Sequence, residues 1–351
     1  MDEPESLGWN AIDEALQPLY RGVEPKHYGT LISYELGGPD PLRGISAYKR
    51  LDPVPHWHFV TYGFSELFAK ESEDLEHSGW GFELTFRLAT DPTAAEPPPW
   101  ALNFLQNLAR YVFKSGNAFA AGHYMNLNGP IALGTATAIQ SIAFQHDPEL
   151  PPIKTPYGKV DFLQIVGLTN DEERALKQWS TLDGLAVFAG HLPLLLTDLA
   201  RPSLLRDPAV AAAMLDGARR DGSSTGFLFI DQLGWEDQGE LRGGSAYRII
   251  MSARQIGELK ALLPFRLPFG RELRLHGQDA QITLAPGPEV AMQAAERSLR
   301  VTLDPPAQQR FCDEVRPFAG RYSLSAKPEL ELEVRRTEIR DPDGRVVETI
   351  G

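Results

Sequence analysis

Cysteine is nearly absent from this chain. Cys312 stands alone among 351 residues, so no intrachain disulfide is possible and no cysteine-based zinc cluster can assemble. Positive charge is also in deficit. Lys and Arg number 34 against 47 Asp and Glu, a formal net charge of -13. That argues against nucleic acid or an anionic membrane surface as the main partner, because both demand clustered basic residues. Long apolar runs are missing too. The greasiest region, Gly184 to Leu199, is broken by His191, Pro193 and Asp198 and cannot span a bilayer. Met1-Asp2-Glu3-Pro4-Glu5-Ser6 lacks the basic head and apolar stretch of a secretory signal, so a cytoplasmic location is expected. There is no phosphate-cradling G-x-x-x-x-G-K-[ST], no H-E-x-x-H and no G-x-G-x-x-G. Internal repeats and heptads are absent.

What remains has the make-up of an ordinary soluble protein, with 42% apolar and 23% charged residues. The clearest element is Gly79 to Leu88. Trp80, Phe82, Leu84, Phe86 and Leu88 fall on one side of an extended chain, and Gly81, Glu83, Thr85 and Arg87 on the other. This period-2 pattern predicts a central strand with one apolar and one polar face. Further strands are expected at Tyr28 to Leu36, His56 to Gly63, Ile139 to Phe144, Val160 to Leu168 and Leu192 to Leu199. Helices are expected at Leu7 to Gln17, Trp100 to Phe113, Asn170 to Trp179, Leu182 to Gly190 and Pro208 to Arg219. Toward the C-terminus, strands and helices mix again, and Asp341-Pro342-Asp343-Gly344 reads as a turn. The irregular interleaving predicts an α+β fold with mixed, mainly antiparallel sheets. Two domains are expected, 1–222 and 241–351, joined by a linker or pairing strand at 223–240.

No catalytic constellation stands out. Gly222-Ser223-Ser224-Thr225-Gly226 matches a nucleophile elbow in letters, but the elbow needs strand, turn and helix, and the order here is helix, loop and strand. His56 and His58 share a face at i, i+2 on a strand and could ligate zinc with help from Asp52, His27 or His77. Histidine pairs on strands more often hydrogen-bond within the sheet, and no metal or cofactor is assigned. Glu83 and Arg87 are an acid and a cation on the polar face of the central strand. With His56 and His58 they form the one polar face open to function, and a hydrolase pocket built from these four is the alternative to a binding protein.

Several phrases resemble the suppressor of fused family: Leu36 to Leu42 (Leu-Gly-Gly-Pro-Asp-Pro-Leu), Pro55 to Leu67, Gly79 to Leu88, Leu108 to Phe113, Thr155 to Gly158 and Phe162 to Gly167. They occur in consistent order over about residues 7–235, while Arg271 to Gly277 and Ser298 to Leu303 match more loosely. The resemblance implies a non-catalytic protein whose two domains clamp an extended peptide. That peptide adds a strand to exposed sheet edges, with main-chain hydrogen bonds supplying affinity. In the animal member the peptide belongs to a zinc-finger transcription factor. Carried over, Tyr111 is a groove tyrosine and Phe227-Leu228-Phe229-Ile230 is the pairing strand. His123 stands where the animal groove has an aspartate, so the animal peptide is not the expected ligand here. The resemblance also extends to bacterial proteins that act as immunity proteins, and the net charge of -13 suits a basic toxin as partner.

Overall fold

The structure is a computed structural model and describes residues 6–32, 34–241, 244–340 and 344–351. Met1 to Glu5, and the turn at Asp341 to Gly344 save its last residue, lie outside the described residues. The chain divides into two compact units. One comprises Met1–Glu173 with Thr181–Ala211, the other Arg174–Ser180 with Ala212–Gly351. Trp179 ties the stretch Arg174–Ser180 to the rest of the second unit. Its indole donates to Asp221 and packs against Gly217, where a Cβ would approach it to 2.5 Å.

The first unit is built on eight strands: β1 (Lys26–Gly29), β2 (Gly44–Arg50), β3 (His56–Tyr62), β4 (His77–Ala89), β5 (Tyr124–Asn126), β6 (Ile139–His146), β7 (Ile153–Thr155) and β8 (Gly158–Thr169). The sheet order is β1-β2-β3-β4-β8-β6-β5, with β7 beside β8. The strand opening at His77 is central as expected, antiparallel to β3 and parallel to β8. Helices α1 (Leu7–Leu16) and α2 (Pro99–Ser115) pack on opposite faces. Phe82, Leu84, Phe86 and Leu88 pack with Ala101, Phe104, Leu105 and Leu108 of α2, each buried Leu or Phe contributing roughly 1.5–3 kcal/mol. On the other face Ile12 and Leu16 of α1 meet Val60, Tyr62 and Phe162. Thus β4 is buried on both sides, as central strands covered by helices are. A register shift separates His77 from Phe82. There Gly79 and Gly81 take φ of 56° and 81°, and a Cβ on Gly79 would sit 2.5 Å from the Phe64 carbonyl oxygen.

Two expected strands are shorter or absent. The first ends at Gly29, and the segment beyond it, whose Leu31, Ile32 and Leu36 are exposed, turns into a 3-10 helix at Tyr34–Leu36. At Leu192 to Leu199, Leu194 and Leu195 have positive φ, which breaks the extended chain; only Thr197 bridges to Leu88. The Gln164 side chain donates to the Leu194 and Leu195 carbonyls in place of a ladder. Conversely, β2 has no counterpart in the sequence reading, since residues 44–48 are buried on both faces and show no alternation.

Helices α3 (Asn170–Gln178), α4 (Thr181–Ala189) and α5 (Pro208–Asp221) follow. The second unit then contains β9 (Phe227–Phe229), β10 (Gly234–Leu241), β11 (Gly244–Ser252), α6 (Ala253–Leu262), β12 (Leu273–His276), β13 (Gln281–Pro286), β14 (Ala291–Ala295), β15 (Ser298–Leu303), α7 (Pro305–Glu314), β16 (Gly320–Ala326), β17 (Glu329–Arg335), β18 (Thr337–Arg340) and β19 (Val346–Ile350). Five strands form one sheet, β14-β15-β13-β12-β9, and four another, β10-β11-β17-β16; β18 and β19 pair as a ribbon. One core joins the inner faces of the two larger sheets with α6 and α7, through Leu228, Leu273, Leu275, Leu330, Leu332, Ile256 and Phe311. Asp304 caps α7 by accepting from Ala307 N at 2.8 Å. The sequence expectation of an α+β architecture holds. No helix among the described residues is long and apolar enough to cross a membrane.

Candidate functional site

His56, His58, Glu83 and Arg87 lie on the α1 side of the first sheet. Register places His58 directly across from Arg87 and His56 across from Ala89. All four side chains are buried, with 0% exposure. They form a polar layer inside the sheet packing and do not line an open cleft, as the hydrolase alternative would require. Glu83 lies apart from the other three, where β3 and β4 diverge. Its carboxylate accepts from Thr61 Oγ1 (2.6 Å), Gly63 N (2.9 Å), Ser65 N (2.9 Å) and Ser65 Oγ (2.7 Å). It thus satisfies backbone donors that have lost a strand partner. Burial nevertheless pushes its pKa up to about 7 against these donors.

His56 Nδ1 lies 2.6 Å from the Val54 carbonyl oxygen, while His58 and Arg87 are organised by Asp147, which no local pattern marks in the sequence. Arg87 Nη2 donates to both carboxylate oxygens of Asp147, and Arg87 Nε donates to Gln164. Thr85 Oγ1 and the backbone N–H groups of Glu149 and Leu150 also donate to Asp147. His58 Nε2 faces Asp147 Oδ2 at 3.3 Å, and its Nδ1 lies 2.6 Å from the Tyr20 hydroxyl. A carboxylate at Nε2 calls for the ring hydrogen there, so Nδ1 accepts from Tyr20. Burial and the nearby Arg87 charge lower the His58 pKa to about 4. Burial opposes ionisation of Asp147, yet the contact with His58 and the Arg87 charge hold its carboxyl well below the usual carboxylate range. Tyr, His and Asp in a row have the parts of an acid–base relay, but the imidazole has no access to solvent. Tyr20 reaches the rim of a cleft of about 290 Å³ lined by Asp13, Glu14, Gln17 and Tyr48, which holds none of the four.

The expected partner residues lie elsewhere: Tyr111, His123, Phe227 and Phe229 are accessible, whereas Leu228 and Ile230 are buried. Tyr111, on α2, is 40% exposed and stacks on Phe119 at 5.7 Å; Phe119 stacks in turn on Phe144 at 4.2 Å. His123 is exposed at the mouth of β5, where Phe144 N donates to its carbonyl and Ala120 N donates to its Nδ1. The structure therefore brings Tyr111 and His123 to the same end of the sheet, beside β5, a terminal strand of the order. In the second unit β9 is likewise terminal. Arg274 N donates to Gly226 O, and Ile230 N donates to His276 O. In a parallel ladder this turns the backbone of Gly226, Leu228 and Ile230 toward β12 and leaves the N–H and C=O groups of Phe227 and Phe229 at the free edge. The Leu228 and Ile230 side chains enter the core, while Phe227 and Phe229 are 50% and 73% exposed. His276 packs beside both rings, at 6.1 and 6.0 Å between centroids. The sequence reading misses His276; only its register opposite Phe229 reveals it.

A family model described as Suppressor of fused protein (SUFU) matches residues 38–202. The suppressor of fused homologs of Mus musculus and Homo sapiens are each 33% identical over 238 residues, 62% of this chain and 48% of theirs. The chain therefore matches about half the length of these curated relatives. The crystal structure of Drosophila Suppressor of Fused superposes with a TM-score of 0.79 at 23% identity, covering 94% of this chain and 97% of that one. A chain of the Sufu-Fu complex crystal structure is 31% identical with a TM-score of 0.57, covering 60% of this chain and 98% of its own. With that relative matched over nearly its whole length and the sequence phrases in the same order, the chain belongs to the suppressor of fused family.

Proposed function

We propose that this chain is a non-catalytic, cytosolic protein-binding module that takes up an extended segment of a partner by strand addition, with β9 as the receiving edge. The observation that carries the reading is the outward backbone of Phe227 and Phe229 on a terminal strand whose side chains are exposed aromatics. Unpaired edges are usually blunted by charge, proline or shortness; β9 is only three residues long but carries no charge and no proline. Tyr111 and His123 beside β5 give the first unit a surface of its own for the same partner class. A solved relative forms the Sufu-Fu complex, in keeping with a protein ligand. Phe229→Pro removes the edge N–H without removing a ladder bond, whereas Phe229→Val keeps it. Capture from a host lysate with the full chain, quantified by mass spectrometry, is expected to recover a partner with wild type and Phe229→Val and to lose it with Phe229→Pro. Equal recovery by all three would count against strand addition at β9.

A second reading makes the partner a basic toxin and the chain its immunity protein; the net charge of -13 favours it. Its test is co-expression with the captured partner. Relief of growth arrest supports it, and a harmless partner removes it.

A further inference from the structure

The negative charge of the second unit is segregated between its sheets. The four-stranded sheet is rich in carboxylates: β10 carries Glu236, Asp237 and Glu240, and β17 carries Glu329, Glu331 and Glu333. The five strands of the other sheet contain no Asp or Glu at all, although the chain has 47. Their inner face is the Leu, Ile and Val of the core. The register puts Arg274 opposite Phe227 and His276 opposite Phe229. All four side chains therefore stand on the outer face, since in-register neighbours share a face. Phe227 and Phe229 meet edge to face, with centroids 5.5 Å apart. The nearest carboxylate of the strand ends, Glu272, is held by Arg300. The Arg274 side chain is exposed; it acts on Glu272 through its charge but makes no side-chain hydrogen bond or ion pair among the described residues.

From this we infer that the outer face beside β9 selects acidic side chains on the strand it receives, an inference that rests on the strand-addition reading above. A strand added at the β9 edge lies one strand spacing from Phe227 and Phe229 and two from Arg274, about 10 Å in all. An extended arginine and an extended glutamate together bridge that distance across the Phe227 ring. Alternate residues of the incoming strand face outward toward Arg274 and His276, while the others fall on the side of Leu228 and Ile230. The partner strand that fits is therefore apolar on one side and carboxylate-bearing on the other. This does not conflict with a basic partner overall: net charge governs approach at long range, whereas this face governs the register of the inserted segment.

Three ten-residue peptides test the inference: alternating Val and Glu, Val and Gln, and Val and Lys, each titrated into the full chain by fluorescence polarisation at low salt. The glutamate peptide is expected to bind at least about tenfold tighter than the lysine peptide, with glutamine between. Added salt should shrink the gap, and Arg274→Glu should reverse the order. Binding of all three with lysine equal or tightest, sensitive to Phe229→Pro, would overturn the acidic preference and leave strand addition standing. If none bound, or if Phe229→Pro bound them all as well as wild type, strand addition would fall and the preference with it.

Discussion

Arg87 and Asp147 meet through two hydrogen bonds, Nη2 to Oδ1 at 2.9 Å and to Oδ2 at 3.1 Å, between side chains that solvent does not reach. Removing one partner of such a buried pair leaves the other charge uncompensated, which costs about 3–5 kcal/mol. Arg87→Met is expected to lower the urea midpoint by a corresponding amount. A loss below about 1 kcal/mol would mean that the Thr85 and backbone donors hold Asp147 unaided.

Glu83 and His58 respond to pH in opposite senses. Burial lifts Glu83 from 4.5 to about 7. Between those values the folded state holds a proton that the unfolded state has released, and this group's stabilisation is lost as pH rises. Burial and Arg87 lower His58 from 6.5 to about 4. There the unfolded state holds the extra proton, and stability is lost as pH falls. The two effects offset each other where the windows overlap. Glu83→Gln removes the first. The stability of this variant relative to wild type is expected to rise by about 1.4 kcal/mol per pH unit between roughly pH 4.5 and 7. Urea unfolding at several pH values checks this; parallel profiles would show Glu83 ionised throughout.

The apolar half of this fold is legible in the sequence and the polar half is not. Trp80 to Leu88 declares itself because five large apolar residues alternate without a break, and alternation is local. The burial of Glu83 and Arg87 is not local. It depends on α1, on the donors at Gly63 and Ser65, and on Asp147, which lies 60 residues from Arg87. Alternation also says nothing about β2, whose two faces are both buried. Phe227 to Ile230 stands out in the sequence only through the family resemblance, and its edge position with His276 alongside depends on a parallel pairing across 47 residues.

Gly79 is confined by the Phe64 carbonyl and by a φ of 56°. Gly79→Ala is expected to destabilise the first unit by at least about 1–2 kcal/mol, read as a lower melting temperature. At Gly116, whose φ is 74° but which has open space around it, alanine should cost less.

Tyr111 is exposed enough that its truncation leaves the core intact. Tyr111→Ala is expected to change stability by less than about 1 kcal/mol while reducing partner recovery severalfold. A variant that melts like wild type and recovers the partner equally well would remove Tyr111 from the binding surface.

Strand addition at β9 is tested most directly by amide hydrogen exchange of the full chain with and without the captured partner. Phe227 and Phe229 N–H face the free edge, whereas Leu228 and Ile230 N–H face β12. Binding is predicted to slow exchange at Phe227 and Phe229 by at least about tenfold, with Leu228 and Ile230 far less changed. A saturated complex in which Phe227 and Phe229 exchange as fast as in the free chain would contradict it.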